Sequence, residues 1–255
     1  MSAPAPLCDV IDATWPAARR LRCGPFILRD GQGGGPRVCA ATLARPGDVP
    51  DAAMVVAAER AMRGMGQRPV FALRPGDDGL DGLLAARGYG HGGQVLIRAC
   101  RTGRLAAALP RLTVFAVQEP LAIMRDIWTR AGIGPAQQAI MARVAGPRTG
   151  LLGRHGNRPA AAAFVAVHGG MGMIHALTVL PALRGRGIGG WMLRAAARWA
   201  RGQGARLLLA LTAGGMDEDR GNSHGADAFF EALGLRPLGG FHYRLGSGTT
   251  GPGRA

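Results

Sequence analysis

The chain contains no lysine: all 31 of its basic residues are arginine. That absence alone excludes a nucleotide-binding P-loop, whose lysine holds phosphate. Acidic residues are also scarce, 16 in 255, and the formal net charge is +15. Arginine without lysine, among abundant Ala, Gly and Pro, fits the coding bias of a GC-rich bacterium. Bias does not explain the excess of base over acid. A basic surface favours anionic partners such as nucleic acid, lipid or a phosphorylated small molecule. Yet the arginines are scattered and aromatics are only 5% of residues, a pattern that disfavours nucleic acid.

Cysteine is scarce too. Cys8, Cys23, Cys39 and Cys100 form no CxxC pair, so no metal is expected, and free thiols in a reducing cytoplasm are the plain reading. The first residues lack the charged and apolar regions of a secretory signal. One stretch, 159–183, contains no Arg, Asp or Glu and has the length of a membrane span. Its centre is HGGMG, which reads as a turn between two buried strands rather than a helix in lipid. With 47% hydrophobic residues, the chain has enough apolar surface for one large or two small cores.

Periodicity places a helix near 12–22, then a strand, a tight turn over the glycines of 31–35, and a strand. A helix over 50–66, a strand PVFAL, a helix LDGLLAARG and a strand ending QVLIRA follow. Residues 100–112 read as a linker. The second half opens with the strand TVFAV, two helices around 119–131 and 135–144, and three strands joined by HGNRP and HGGMG. A Gly-rich loop and helix, the strand ARLLLALT, the helix GADAFFEALG and closing strands complete it. The halves are related: 80–98 lies over 226–244 without a gap, matching Asp81, Gly88 and Arg98 to Asp227, Gly234 and Arg244. A duplicated fold is expected, with an N-terminal domain over 1–105, a C-terminal domain over 112–246 and a disordered tail over 247–255.

The most informative stretch is LRGRGIGG at 183–190, four glycines and two arginines between a strand and a helix. Backbone N–H groups at such a helix start point outward, and the helix dipole favours negative charge. Glycines clear side chains from the approach, while Arg184 and Arg186 add charge. A phosphate or pyrophosphate is the expected ligand. Gly185, Gly187 and Gly190 satisfy GxGxxG, but a dinucleotide fold places its glycines directly after the strand and an acid at the end of the next one. Here PALR intervenes, and the first later acid is Asp217, so a nicotinamide cofactor is disfavoured.

Arg184-x-x-Gly187-x-Gly189, preceded by V-x-P-x-x-R, resembles the pyrophosphate loop of the GNAT superfamily of N-acetyltransferases. GADAFFEALGL resembles that family's A-x-x-x-Y-x-x-x-G-F helix and strand, and the resemblance spans about 113–245. It implies an α/β (α+β) fold with a mixed, mostly antiparallel sheet flanked by helices. It also implies acetyl-CoA as acyl donor and direct transfer to a primary amine of a small molecule or peptide. By position, Leu177, Thr178 and Val179 would hold the pantetheine arm and thioester, with the Val179 N–H facing the oxyanion. Arg184, Gly185, Arg186, Gly187, Ile188 and Gly189 would hold the pyrophosphate. Asn222 or Ser223 would contact the cofactor arm. Phe230 stands where many members carry a tyrosine that protonates the leaving thiolate, which Phe cannot do.

Tyr243, one of two tyrosines, is the candidate replacement. His175, on the strand before the loop, titrates in the range a base needs. Glu119 and Asp126, on the first helix of the second half, are further candidates. The N-terminal half has RPGDVPDAA where the loop would stand and resembles the degenerate half of a tandem acetyltransferase. Two rivals stand beside this reading: a non-catalytic CoA- or anion-binding sensor of the same fold, supported by Phe230, and a basic nucleic-acid-binding protein, supported by charge alone. Neither acceptor nor oligomeric state is legible.

Overall fold

The computed structural model describes residues 5–214 and 220–247; of 5–6, 213–214 and 220–225 only the backbone is described. Helix α1 (Ala5–Thr14) leads into the hairpin β1 (Arg19–Cys23) and β2 (Phe26–Asp30), then the short α2 (Pro36–Cys39) and β3 (Thr42–Leu43). Helix α3 (Ala52–Gly64), β4 (Val70–Leu73), α4 (Asp78–Ala86) and β5 (Gly90–Arg101) complete the N-terminal half. After α5 (Thr102–Leu105), the second half runs β6 (Val114–Val117), α6 (Ala122–Arg130), α7 (Pro135–Arg143), β7 (Arg148–His155), β8 (Arg158–His168) and β9 (Met171–Val179). A single 3-10 turn (Pro181–Leu183), α8 (Ile188–Gly202), β10 (Leu207–Gly214), α9 (Arg220–Ala232) and β11 (Arg236–Leu245) follow.

Two expectations fail in the N-terminal half. The helix expected at 12–22 ends at Thr14, and 19–23 is a strand instead. Four of the five residues in β1 are exposed, so no alternating pattern announces it. The tight turn of the first hairpin lies at Gly24, which has φ +56°, rather than at 31–35. Those later glycines lead into α2, whose insertion separates β2 from its second partner β3. The expected linker over 100–112 is partly structured: Thr102 and Leu105 are buried, and the Thr102 hydroxyl donates to the Ala205 carbonyl at 2.9 Å.

The main sheet has eight strands in the order β4-β11-β5-β10-β9-β8-β7-β6 and runs through both halves. It is antiparallel throughout except for β9 with β10. Each half ends in a strand–helix–strand unit, and the final strands are exchanged. β5 from the N-terminal half pairs with β10, β11 from the C-terminal half pairs with β4, and β5 and β11 pair with each other. The register of that central pair maps onto itself when the halves are interchanged: Ala99 pairs with Arg236 as Gly90 pairs with Leu245, and Val95 faces Phe241. The same pseudo-two-fold relates two ion pairs. Arg98 on β5 reaches Asp227 on α9 at 2.8 Å, and Arg244 on β11 reaches Asp81 on α4 at 2.6 Å. These four residues are the ones the ungapped sequence match brings together.

Helices cover both faces. The apolar stripe of α8, including Ile188, Met192, Leu193, Ala196 and Ala200, packs on β7 to β10 in one core. On the other face, Trp15, Met124, Trp128 and Ile140 pack on Ala162, Phe164 and Ala166 of β8. A separate core under α3 and α4 is built from Phe26, Met62, Phe71 and Leu84.

Candidate active site

The site is built where β9 and β10 part. They are paired only from Met171–Met173 to Leu207–Leu209, although β9 continues to Val179 and β10 to Gly214. A bulge in β9 accompanies the divergence. Ala162 and Phe164 on β8 face Thr178 and His175, so β9 carries one extra residue there. Ala176 takes it up in the left-handed region, at φ +51°, a conformation that a bulge imposes on the strand it bends. Its carbonyl is held by the Trp128 indole N–H at 2.8 Å. Beyond the bulge, the Leu180 N–H donates to Ala160 of β8 at 2.9 Å. The two-residue period of a strand therefore turns the Val179 N–H and C=O the other way, toward the space β10 has left. Leu177 and Val179 are half-buried at this opening, and Thr178 is buried.

The glycine-rich loop closes one end of the opening. Arg184, Gly185, Arg186 and Gly187 are exposed. Gly185 and Gly187 have φ +77° and +78°, which side chains other than glycine resist. Gly187 is the N-cap of α8, with no side-chain cap. The first intrahelical bond runs from Trp191 N–H to Gly187 O at 3.2 Å, so the N–H groups of Ile188, Gly189 and Gly190 have no partner in the helix. Gly189 is needed for packing: a Cβ there would lie 2.9 Å from the Phe229 ring of α9. The Arg184 Nε donates to the Val179 carbonyl at 3.4 Å, linking loop to strand. Neither Arg184 nor Arg186 has a carboxylate partner among the described residues. Open N–H groups, positive φ and unpaired guanidinium groups suit an oxygen-rich anion such as a pyrophosphate.

The remaining sequence candidates scatter. His175 is buried (3% exposed) and stacks on Trp15 at 4.8 Å. Its Nδ1 lies 3.3 Å from the Arg37 guanidinium, and its Nε2 lies 3.0 Å from the Thr14 hydroxyl. Arg37 can only donate, and Thr14 donates to the Val10 carbonyl at 2.7 Å. The ring is therefore the neutral Nε2–H tautomer with both nitrogens engaged. Burial, then the Arg37 charge, depresses its pKa well below 6.5. Tyr243 lies on β11, where its phenol neighbours the Arg37 guanidinium that bonds His175 of β9.

Glu119 is not on the first helix as expected. It lies in the loop between β6 and α6, exposed, with Arg148 at 3.4 Å. Asp126 is on α6 but faces solvent. Phe230 is buried in the core with α8. Asn222 and Ser223 fall in α9, but their side chains lie outside the described residues, as does the tail from 248 onward. Arg37 went unnoticed in the sequence: one arginine in GGGPRVC among 31 gives no local signal.

The sheet, its parted parallel strands and the Gly-rich helix start define an acyltransferase-like fold. Residues 122–235 match the model of the acetyltransferase (GNAT) family. The whole chain is similar to a GCN5-related N-acetyltransferase from Kribbella flavida, at 19% identity and a TM-score of 0.70, covering 98% of each chain. A conserved protein of unknown function from Staphylococcus epidermidis is similar at 11% identity and a TM-score of 0.65, over 92% of this chain and 95% of that one. A tandem GNAT protein from the clavulanic acid biosynthesis pathway is similar at 15% identity and a TM-score of 0.55, over 96% and 89%. A search of curated proteins finds no match. That match supports acyl transfer as the general chemistry. No helix among the described residues is long and apolar enough to cross a membrane.

Proposed function

We propose that the chain transfers an acetyl group from acetyl-CoA directly to a primary amine, through a tetrahedral intermediate, at the opening between β9 and β10. The observation that carries this reading is the unpaired end of β9 beside the uncapped, glycine-lined start of α8. In this reading Arg184–Gly189 hold the pyrophosphate, and the inward Val179 N–H stabilises the oxyanion as the amine attacks the thioester carbonyl. Rate comes mainly from positioning and that hydrogen bond. With both His175 nitrogens engaged, water takes the ammonium proton and returns one to the thiolate. His175 is then a positioning residue, which fixes Trp15 and the bulged strand.

A second reading, a CoA-binding protein without turnover, is favoured by Phe230 in the core and by the engagement of both His175 nitrogens. Thermal unfolding with and without acetyl-CoA tests binding, with Gly187→Glu as control. At about a hundred times the dissociation constant the donor adds about 2.7 kcal/mol. The expected result is a shift in the wild type that the variant lacks. No shift in the folded wild type overturns both readings; a shift with no acetylated product across an amine panel leaves the second.

A further inference from the structure

A cavity of about 180 Å³ lies between α1 and the strands of the N-terminal half. No residue of the Arg184–Gly189 loop lines it. It borders β3 and β4, the N-terminal counterparts of β9 and β10, which belong to different sheets and are joined only by a bridge from Ala41, just before β3, to Phe71. The N-terminal half thus has an opening of its own, filled differently.

Four arginines line this cavity against two aspartates. Three of the four have acidic partners. Arg29 holds Asp12 through two bonds of 2.9 and 2.7 Å, Arg20 reaches the same carboxylate at 3.4 Å, and Arg74 bonds Asp77 at 3.2 Å. Arg37 has no carboxylate partner among the described residues. Its guanidinium lies 5.7 Å from the centre of the Trp15 ring and gives one hydrogen bond to His175, leaving most of its five N–H donors unused. Burial lowers its pKa, and only the neighbouring Tyr243 phenol opposes that shift. The Tyr243 hydroxyl has no hydrogen-bond partner among the described residues, and burial raises its pKa, so it stays a donor.

We propose that this cavity binds a small organic carboxylate, held by the free edge of the Arg37 guanidinium and by the Tyr243 hydroxyl. The Arg37 guanidinium is half-buried at the cavity wall with no carboxylate partner among the described residues, and its planar fork matches a carboxylate. The rest of the wall, with Ile11, Ile27 and Phe241, suits a short carbon chain rather than an inorganic ion. The site lies beyond the acetyl-transfer reading and does not depend on it.

Calorimetric titration of the full chain with acetate, succinate and glutarate tests this, with dimethyl succinate and inorganic phosphate alongside. At least one carboxylate should bind, and the ester and phosphate should not. Arg37→Met should abolish binding, and Tyr243→Phe, which keeps the ring, should weaken it about tenfold, the loss of one hydrogen bond to a charged group. The proposal is overturned if no carboxylate binds the wild type, if phosphate binds in their place, or if Tyr243→Phe binds as tightly as wild type. Acetyl-CoA enters none of these titrations, so their failure leaves the donor-loop reading standing.

Discussion

The two halves start their central helices differently. In the N-terminal half, α3 begins at Asp51, whose carboxylate accepts from the Met54 N–H at 2.8 Å. In the C-terminal half, α8 begins at Gly187, left-handed and with no side chain to offer. The first helix start carries its own anion; the second leaves its N–H groups open for one from outside. In the proposed reading, this single N-cap position separates a helix start that holds its own carboxylate from one left open to a pyrophosphate. The lesson is that one half can satisfy a helix-start donor from its own side chains where its counterpart leaves the same donors open, within one shared sheet.

The comparison breaks most severely if the halves are cut apart. Residues 1–105 and 106–255 expressed separately should show no cooperative unfolding by circular dichroism, because β10 loses β5 and β11 loses both of its partners. A cooperative transition in either fragment would contradict the exchanged-strand account.

Substitution in the paired ion bridges sharpens it next. Arg98 is 3% exposed, whereas Arg244 is 14% exposed. Asp227→Ala leaves a buried guanidinium with Glu231 as its remaining carboxylate among the described residues and should cost about 3 kcal/mol in denaturant unfolding. Asp81→Ala should cost about 1 kcal/mol, because its partners can turn to water. The Arg244 hydrogen bond and that of His242 hold the Asp81 pKa at about 2. Its contribution is therefore present above pH 3.8 and is lost as pH falls toward 2.

The sequence match foretold those ion-pair residues but not their crossing. Asp81, Arg98, Asp227 and Arg244 coincide in the ungapped alignment, yet a strand's period says which face a residue takes and not which strand lies beside it. The helices α3, α6 and α8 and the strands β7 to β10 were legible because of their apolar patterns and the glycines that mark their turns. The Gly-rich loop was legible because only a close backbone approach needs Gly185 and Gly187 together. β1 was not, since its exposed arginines carry no pattern. Nor was the role of His175: a titrating residue near a thioester looks like a base until Thr14 and Arg37, 161 and 138 residues away, take its nitrogens.

The smallest effect concerns that histidine, which links the halves. The unfolded chain protonates His175 near pH 6.5, while the folded pKa is well below that. The unfolded state then binds more protons at low pH, so stability should fall as pH drops below about 6.5. The slope of melting temperature between pH 7 and 5 should flatten in His175→Gln; an unchanged slope would assign the acid sensitivity elsewhere.

The central claim is that one half alone receives the acyl donor. Calorimetric titration with acetyl-CoA measures this directly. The account predicts one site per chain, lost in Gly187→Glu. Two sites per chain, or a site that survives that substitution, would contradict it.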